Sequence, residues 1–240
     1  MEFTKKTAPN RKGRYCFDGI SEKNRRPTNM DSLIVLERNI GSDYLLLAVV
    51  SDGVGSLERG GFAAMALTRG LMGWFTTLES VDNILNDVRE EIFSINREVF
   101  AASTENGFQS AATLTLLLIM NEDYYAFNAG DSRIYMLHNG KLEQITRDDV
   151  SDTGALTEYI GFEQLPNLSF SQGDAAGRLF LLCSDGLYKR MDPAYLRRQL
   201  EGCNEGNLRN CITTLIRRVA DQGETDNISV AIIKDCMKGN

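Results

Sequence analysis

The chain has few of the residues that most nucleophile and soft-metal chemistries need. It holds one histidine, His138, in 240 residues. A Ser-His-Asp hydrolase would have to use that residue, and no nucleophile-elbow sequence is present. The glycine-rich loop ending in Gly-Lys-Ser/Thr that marks P-loop kinases is also missing. The five cysteines, Cys16, Cys183, Cys203, Cys211 and Cys236, are odd in number and scattered. No pair has zinc-ligand spacing, and the pattern predicts free thiols in a reducing compartment. Cys183 ends an apolar run without a basic partner, so it reads as core and not as a phosphatase nucleophile. There is no basic block, and the net charge of −7 argues against nucleic acid or an anionic membrane as partner. No apolar run approaches membrane-spanning length. The opening stretch, MEFTKKTAPNRKGR, lacks the apolar segment of a secretory signal. A monomeric, cytoplasmic protein is expected.

What is present is ordinary for a globular protein: 42% hydrophobic and 25% charged residues. The length suits one sizeable domain. Residues 1–13 read as a flexible polar lead-in and 14–240 as the domain. An apolar run, Leu45 to Val50, reads as a fully buried strand that ends on Ser51-Asp52-Gly53. Ser32 to Leu36 and Tyr44 to Val50 form a hairpin by pattern, after a short strand over Arg14 to Phe17. Gly60 to Leu78 reads as a buried helix, with Gly60, Gly61, Gly70 and Gly73 permitting close packing. A second helix, capped by Ser80, runs to about Ala102 with apolar residues at helical spacing. Four short strands follow: Ala112 to Met120, Tyr124 to Asn128, Arg133 to His138 and Lys141 to Ile145. Residues 147–177 read as irregular. Arg178 to Cys183 is a buried strand leading to Ser184-Asp185-Gly186. Two helices, one opened by Asp192-Pro193 and one over Leu208 to Ala220, precede a last strand, Ile228 to Ile233. Antiparallel strands with helices in separate pairs predict an α+β layered fold.

Five aspartates stand at strand boundaries: Asp31 before one, Asp52 after one, Asp131 between two, Asp185 after one and Asp226 before one. Antiparallel pairing puts the end of one strand beside the start of its neighbour, so all five can meet at one rim. Each alone also reads as a turn or cap residue. Carboxylates gathered at one rim repel one another, and divalent cations are the simplest way to hold them. An all-oxygen ligand set selects Mg²⁺ or Mn²⁺ over zinc or copper. Two such ions activate a bridging water and offset charge on a phosphoryl group. Arg26, five residues before Asp31, is placed to grip a phosphate, or is a solvated loop arginine.

Six segments, in order, resemble the bacterial form of the type-2C metal-dependent protein phosphatases. They are Arg26-x-x-Asn29-Met30-Asp31, Ser51-Asp52-Gly53-Val54-Gly55, Ala112-Thr113, Asn128-Ala129-Gly130-Asp131-Ser132-Arg133-Ile134-Tyr135, Leu182-Cys183-Ser184-Asp185-Gly186-Leu187 and Thr225-Asp226-Asn227-Ile228-Ser229-Val230. The resemblance implies a four-layer α-β-β-α sandwich, two antiparallel sheets flanked by helix pairs. It implies hydrolysis of phosphoserine and phosphothreonine in proteins by a hydroxide bridging two Mg²⁺ or Mn²⁺ ions, with a cognate serine/threonine kinase supplying the substrates. By that match Asp52, Asp185 and Asp226 bind the first ion. Asp52 and the carbonyl of Gly53 bind the second, supported by Asp31. Asp131 with Asp185 resembles a third-ion position. Arg26 matches the phosphate-binding arginine, and Asn227 supports Asp226.

The chain departs from the family pattern in places. Met30 stands where an acidic or amide residue is usual, which lowers the expected affinity for the second ion. Ser56 replaces a glycine. Val54 occupies the position of a histidine acid in eukaryotic members, and His138 reads as a surface residue, so the proton donor is expected to be a water. The mobile flap usual between Thr146 and Gly161 is reduced to residues 147–160. A phosphatase-like binding or regulatory domain with little turnover is the competing expectation.

Overall fold

The computed structural model describes residues 14–57 and 59–236. The expected lead-in over residues 1–13 lies outside them. The first strand, β1 (Tyr15–Glu22), runs well beyond its expected end at Phe17. The hairpin follows as β2 (Ser32–Ile40) and β3 (Asp43–Ser51), then the helices α1 (Gly60–Thr77) and α2 (Ile84–Glu105). Next come β4 (Leu114–Met120), β5 (Asp123–Ala129), β6 (Arg133–His138), β7 (Lys141–Gln144), β8 (Ser169–Asp174) and β9 (Leu179–Cys183). The chain closes through α3 (Asp185–Tyr188), α4 (Pro193–Glu201), α5 (Leu208–Asp221) and β10 (Ile228–Asp235).

Two five-stranded antiparallel sheets result, with strand orders β1-β10-β9-β6-β7 and β2-β3-β4-β5-β8. They pack face to face. Leu46, Ala48 and Val50 of β3 meet Phe180 and Leu182 of β9 and Ala231 and Ile233 of β10 in a buried layer between the sheets. The alternate residues of β3, Leu45, Leu47 and Val49, pack outward against α1 and α2. In the same way Leu179, Leu181 and Cys183 of β9 face α3, α4 and α5. A strand covered on both faces has no solvent side, which is why Leu45 to Val50 is continuously apolar instead of alternating.

Several sequence expectations are corrected. The helix expected from Ser80 begins at Ile84, and Ser80 instead bonds the side chain of Asp82 at 2.9 Å. The polar stretch 147–177 contains an edge strand, β8, whose Ser-Phe-Ser-Gln-Gly-Asp sequence carries too little apolar patterning to announce it. The four strands after Ala111 are shared between the sheets: β4 and β5 in one, β6 and β7 in the other. Gly60, Gly61 and Gly70 do make close approaches, whereas Gly73 has nothing within 4 Å of where a Cβ would lie. The expectation of free thiols fails for one pair. Cys16 and Cys236 form a disulfide, with Cα atoms 6.0 Å apart and 220 residues between them. The reason is register: β1 pairs with β10, and the Cys236 N–H donates to the carbonyl of Arg14. Cys183, Cys203 and Cys211 are free and buried.

Phe180 is fully buried between the sheets, its ring 5.2 Å from that of Tyr124 in an edge-on contact. Phe180→Ala is expected to destabilise the fold by about 3–5 kcal/mol, read as a lower urea midpoint with unchanged slope. Met65→Ala on the outer face of α1, 40% exposed, is expected to cost about 0.5 kcal/mol or less.

Candidate metal centre

The registers bring the five strand-edge aspartates to one end of the sandwich. Ser32 pairs with Ser51, so Asp31 and Asp52 flank the same rung of the β2–β3 hairpin. The start of β4 lies beside the end of β3, and Leu114 pairs with Ala129, so the turn carrying Asp131 leaves β5 at that same end. In the other sheet Cys183 pairs with both Arg133 and Val230. Asp185 therefore leaves β9 where β6 and β10 begin, beside Asp131 and Asp226. The sequence argument needed one antiparallel sheet. The structure uses two whose rims meet, and the turn through Asp131 crosses from one to the other.

Each carboxylate has a defined setting. The Asp52 N–H donates to the Thr113 hydroxyl at 2.9 Å, and Thr113 is in turn 2.8 Å from the Ser132 hydroxyl. Asp31 accepts the Ser184 hydroxyl on Oδ2 at 2.8 Å, while its buried Oδ1 has no hydrogen-bond partner. Asp131 accepts from the Tyr188 hydroxyl at 3.3 Å. Asp185 is paired with Lys189, one helical turn on. Asp226 is held by Arg26 through Nε at 3.0 Å and Nη2 at 2.8 Å. Asn227 donates its N–H to Asp226 at 2.9 Å and accepts the Met30 N–H at 2.8 Å. Its amide also donates to the carbonyls of Lys23 and Thr28. One side chain thus ties the loop between β1 and β2 to the start of β10.

Two glycines allow the strand ends to close on their neighbours. A Cβ on Gly53 would lie 2.6 Å from the carbonyl carbon of Gly60, at the start of α1. A Cβ on Gly186 would lie 2.1 Å from the carbonyl oxygen of Asn227. Backbone atoms stand in both places, so neither residue can carry a side chain without moving the strand end it follows.

The electrostatics show how tightly the acids are gathered. Burial, followed by the charges of Asp31, Asp185, Asp131 and Asp226, pushes Asp52 well above the usual carboxylate range. Burial pushes Asp31 up to about 7, against the pull of the neighbouring Ser229 and Ser184 hydroxyls. Asp131 is raised by burial and then by Asp185. As the side chains stand, no three His, Cys, Asp or Glu groups among the described residues form a closed ligand cluster. Asp185 and Asp226 instead each face a cation of the chain itself. The donor set nonetheless fits hard divalent cations. It is all oxygen, mutually repelling, and includes one buried carboxylate oxygen that nothing satisfies.

Other expected residues fall away from chemistry. Cys183 is buried, and burial raises its thiol far from thiolate formation, which bears out its reading as core. His138 ends β6, at the end opposite Arg133, and is half-buried against Asn139, so it is less exposed than a surface reading implies. Residues 147–160 fold back over the Asp131 turn. The Asp149 N–H donates to the Gly130 carbonyl, and its carboxylate accepts the Gly130 N–H at 3.2 Å. Ser184, Tyr188, Lys189 and Glu224 are site residues that sequence reasoning gave no role. Glu224 accepts the N–H groups of Thr225 and Asp226 at 2.7 and 3.0 Å. Lys189 alone had a legible signal, its i, i+4 spacing from Asp185.

Residues 30–229 match the family model described as protein phosphatase 2C. A serine/threonine phosphatase, stp, of Listeria welshimeri is 25% identical, over 78% of this chain and 84% of its own. The solved structure of PppA, described as a key regulatory component of the T6SS in Pseudomonas aeruginosa, is 27% identical. It superposes with a TM-score of 0.77 over 92% of this chain and 98% of its own. The catalytic domain of the phosphatase PstP, solved with two manganese ions, shares the fold at 22% identity and a TM-score of 0.76, over 92% of this chain and 97% of its own. The acidic rim, the two-sheet architecture and the 200-residue span of that match place the chain in the protein phosphatase 2C family.

Proposed function

We propose that the chain is a metal-dependent protein phosphatase that hydrolyses phosphoserine and phosphothreonine in proteins, using Mg²⁺ or Mn²⁺. The observation that carries this reading is the meeting of Asp31, Asp52, Asp131, Asp185 and Asp226 at one rim, with Asp52 raised by burial and then by the other four charges. Family membership supports the reaction class, and no observation favours a domain without turnover. Residues 14–240 act as one domain in this reading, as a monomer in the cytoplasm, on the products of a serine/threonine kinase. No helix among the described residues is long and apolar enough to cross a membrane.

Asp52, Asp185 and Asp226 would hold one ion, and Asp52 with the Gly53 carbonyl would hold a second, supported by Asp31. Bound there, the ions would supply a water acidified enough to attack phosphorus and positive charge against the phosphoryl group. The chain does the rest. Arg26 sits 44% exposed at the rim beside Asp226 and supplies a planar fork of donors for the phosphoryl oxygens. Asp226 keeps that fork oriented before substrate arrives. Asn227 fixes the arginine-bearing loop through Met30, Lys23 and Thr28. Glycine at 53 and 186 lets the backbone of Gly60 and of Asn227 close on the strand ends that carry the acids. Val54 has no proton to give and His138 lies at the far end of β6, so the leaving serine or threonine oxygen takes its proton from water.

Hydrolysis of p-nitrophenyl phosphate is expected with Mn²⁺ and not with EDTA. A wild-type chain without a Mn²⁺-dependent rate would leave the binding-domain reading. Asp52→Ala, Asp185→Ala and Asp226→Ala are each expected to lower kcat by more than about 100-fold, beyond the loss usual for a residue that only supports a ligand. Circular dichroism should remain native. Arg26→Ala is expected to raise KM for a phosphoprotein by about 10–100-fold with a smaller change in kcat, the loss of one bidentate charged contact.

The acidic rim also sets a pH dependence. Asp31 is raised to about 7 in the fold and titrates near ~4 when unfolded, so the folded metal-free chain holds its proton more tightly between those values. Stability from this group therefore falls as pH rises through that window. In EDTA the melting temperature is expected to be lower at pH 8 than at pH 5.5, and Asp31→Asn should narrow the gap. Added Mn²⁺ should raise the melting temperature more at pH 8. An unchanged gap in Asp31→Asn would assign the pH effect elsewhere.

A further inference from the structure

The strand registers bring Asp131 and Asp185 to the same end of the sandwich, and the charge of Asp185 adds to burial in raising Asp131. Two consecutive residues at the end of α3 address them. Tyr188 donates its hydroxyl to Asp131 Oδ2 at 3.3 Å, and Lys189 places its ammonium on Asp185 Oδ2. Neither is loosely placed. The Tyr188 ring lies under the Arg133 guanidinium at 3.5 Å, and that guanidinium is fixed to Asp148 by hydrogen bonds of 2.6 to 3.1 Å. The Lys189 N–H donates to the Asp185 carbonyl at 3.1 Å, so the helical turn itself aims the side chain back at the carboxylate. The Lys189 charge also reaches Asp131 and Asp52.

We infer that Lys189 is the resident counter-ion of the Asp131–Asp185 pair, so that an ammonium occupies the place where this pair would otherwise recruit a divalent cation. The inference rests on the metal-centre reading and sharpens it: the chain works with two ions and not three. The physical ground is competition for one oxygen. An ammonium in hydrogen-bond contact with Asp185 Oδ2 blocks a cation from that oxygen by volume and by charge. It offsets one of the pair's two negative charges, and the Tyr188 hydroxyl satisfies the partner acid without adding charge. The other oxygen of Asp185, which Lys189 does not take, would be left for the ion that Asp52 and Asp226 would hold. The tether is short and the Lys189 side chain is 56% exposed, so it can be removed without disturbing the core.

The test is the number of Mn²⁺ ions bound by the full chain after EDTA treatment, by isothermal titration calorimetry and by the loss of free-Mn²⁺ paramagnetic resonance signal. The wild-type chain is expected to bind about two ions, as a two-metal site requires. Lys189→Ala should bind one more. Lys189→Arg, which keeps the positive charge, should stay at the wild-type number. The double variant Lys189→Ala with Asp131→Ala should return to the wild-type number. Three ions on the wild-type chain, no gain in Lys189→Ala, or a gain that survives loss of Asp131 would each overturn the inference while leaving the metal centre intact. No Mn²⁺ binding by the wild-type chain would overturn the metal centre itself, and the inference with it. Melting temperature and near-ultraviolet circular dichroism of each variant confirm that a fold is being titrated.

Discussion

Repulsion among carboxylates is the constraint on which the functional end of this molecule depends. Five aspartates from five separate stretches of chain reach one rim, and Asp52, itself buried, feels all four others. Such an arrangement is unfavourable unless something offsets the charge, because burial strips away the water that would otherwise screen it. The fold supplies part of the answer itself: Arg26 lies on Asp226, Lys189 on Asp185, and the hydroxyls of Ser184 and Tyr188 donate to Asp31 and Asp131. What is left over, the buried unsatisfied oxygen of Asp31 and the raised acid of Asp52, is a demand that hard divalent cations would meet.

The architecture around the rim makes that demand tolerable. The sheets bury both faces of β3, β9 and β10, and helices close the outer sides. The apolar layers give the strand ends little freedom, so the acids cannot relax apart. Glycine at positions 53 and 186 lets backbone from neighbouring elements close on the strand ends. The short segment over residues 147–160 is part of the same frame. Asp149 clasps Gly130, while Asp148 holds Arg133 and through it the Tyr188 ring. Where a long flap would stand apart, this chain has a strap tied to the Asp131 turn.

Much of this was legible in the residues. The strand-edge aspartates, the glycines that follow Asp52 and Asp185, the buried run at Leu45 and the helical spacing of α1, α2 and α5 all carry local signals that depend on few neighbours. The edge strand β8 was missed because Ser169–Asp174 lies at the border of its sheet, half in water, where no apolar alternation is needed. The late start of α2 was missed because Ser80 found a side-chain partner in Asp82 instead of a helical N–H. The Cys16–Cys236 pair was missed because its closeness is a property of β1–β10 register and of nothing near either cysteine.

The sequence alone therefore determined the kinds of chemistry available: an all-oxygen donor set, a single histidine of no use to it, and strands apolar enough to need cover on both faces. Those follow from residue type and short-range period. Only the tertiary structure decided which charges face one another. That Arg26 lies on Asp226, that Lys189 rather than solvent meets Asp185, and that Asp149 reaches Gly130 depend on where two sheets and a four-residue helix bring their ends. Coulomb interactions fall with distance in space and take no account of distance along the chain, so the balance of charge at this rim could be read only after the fold had set those distances.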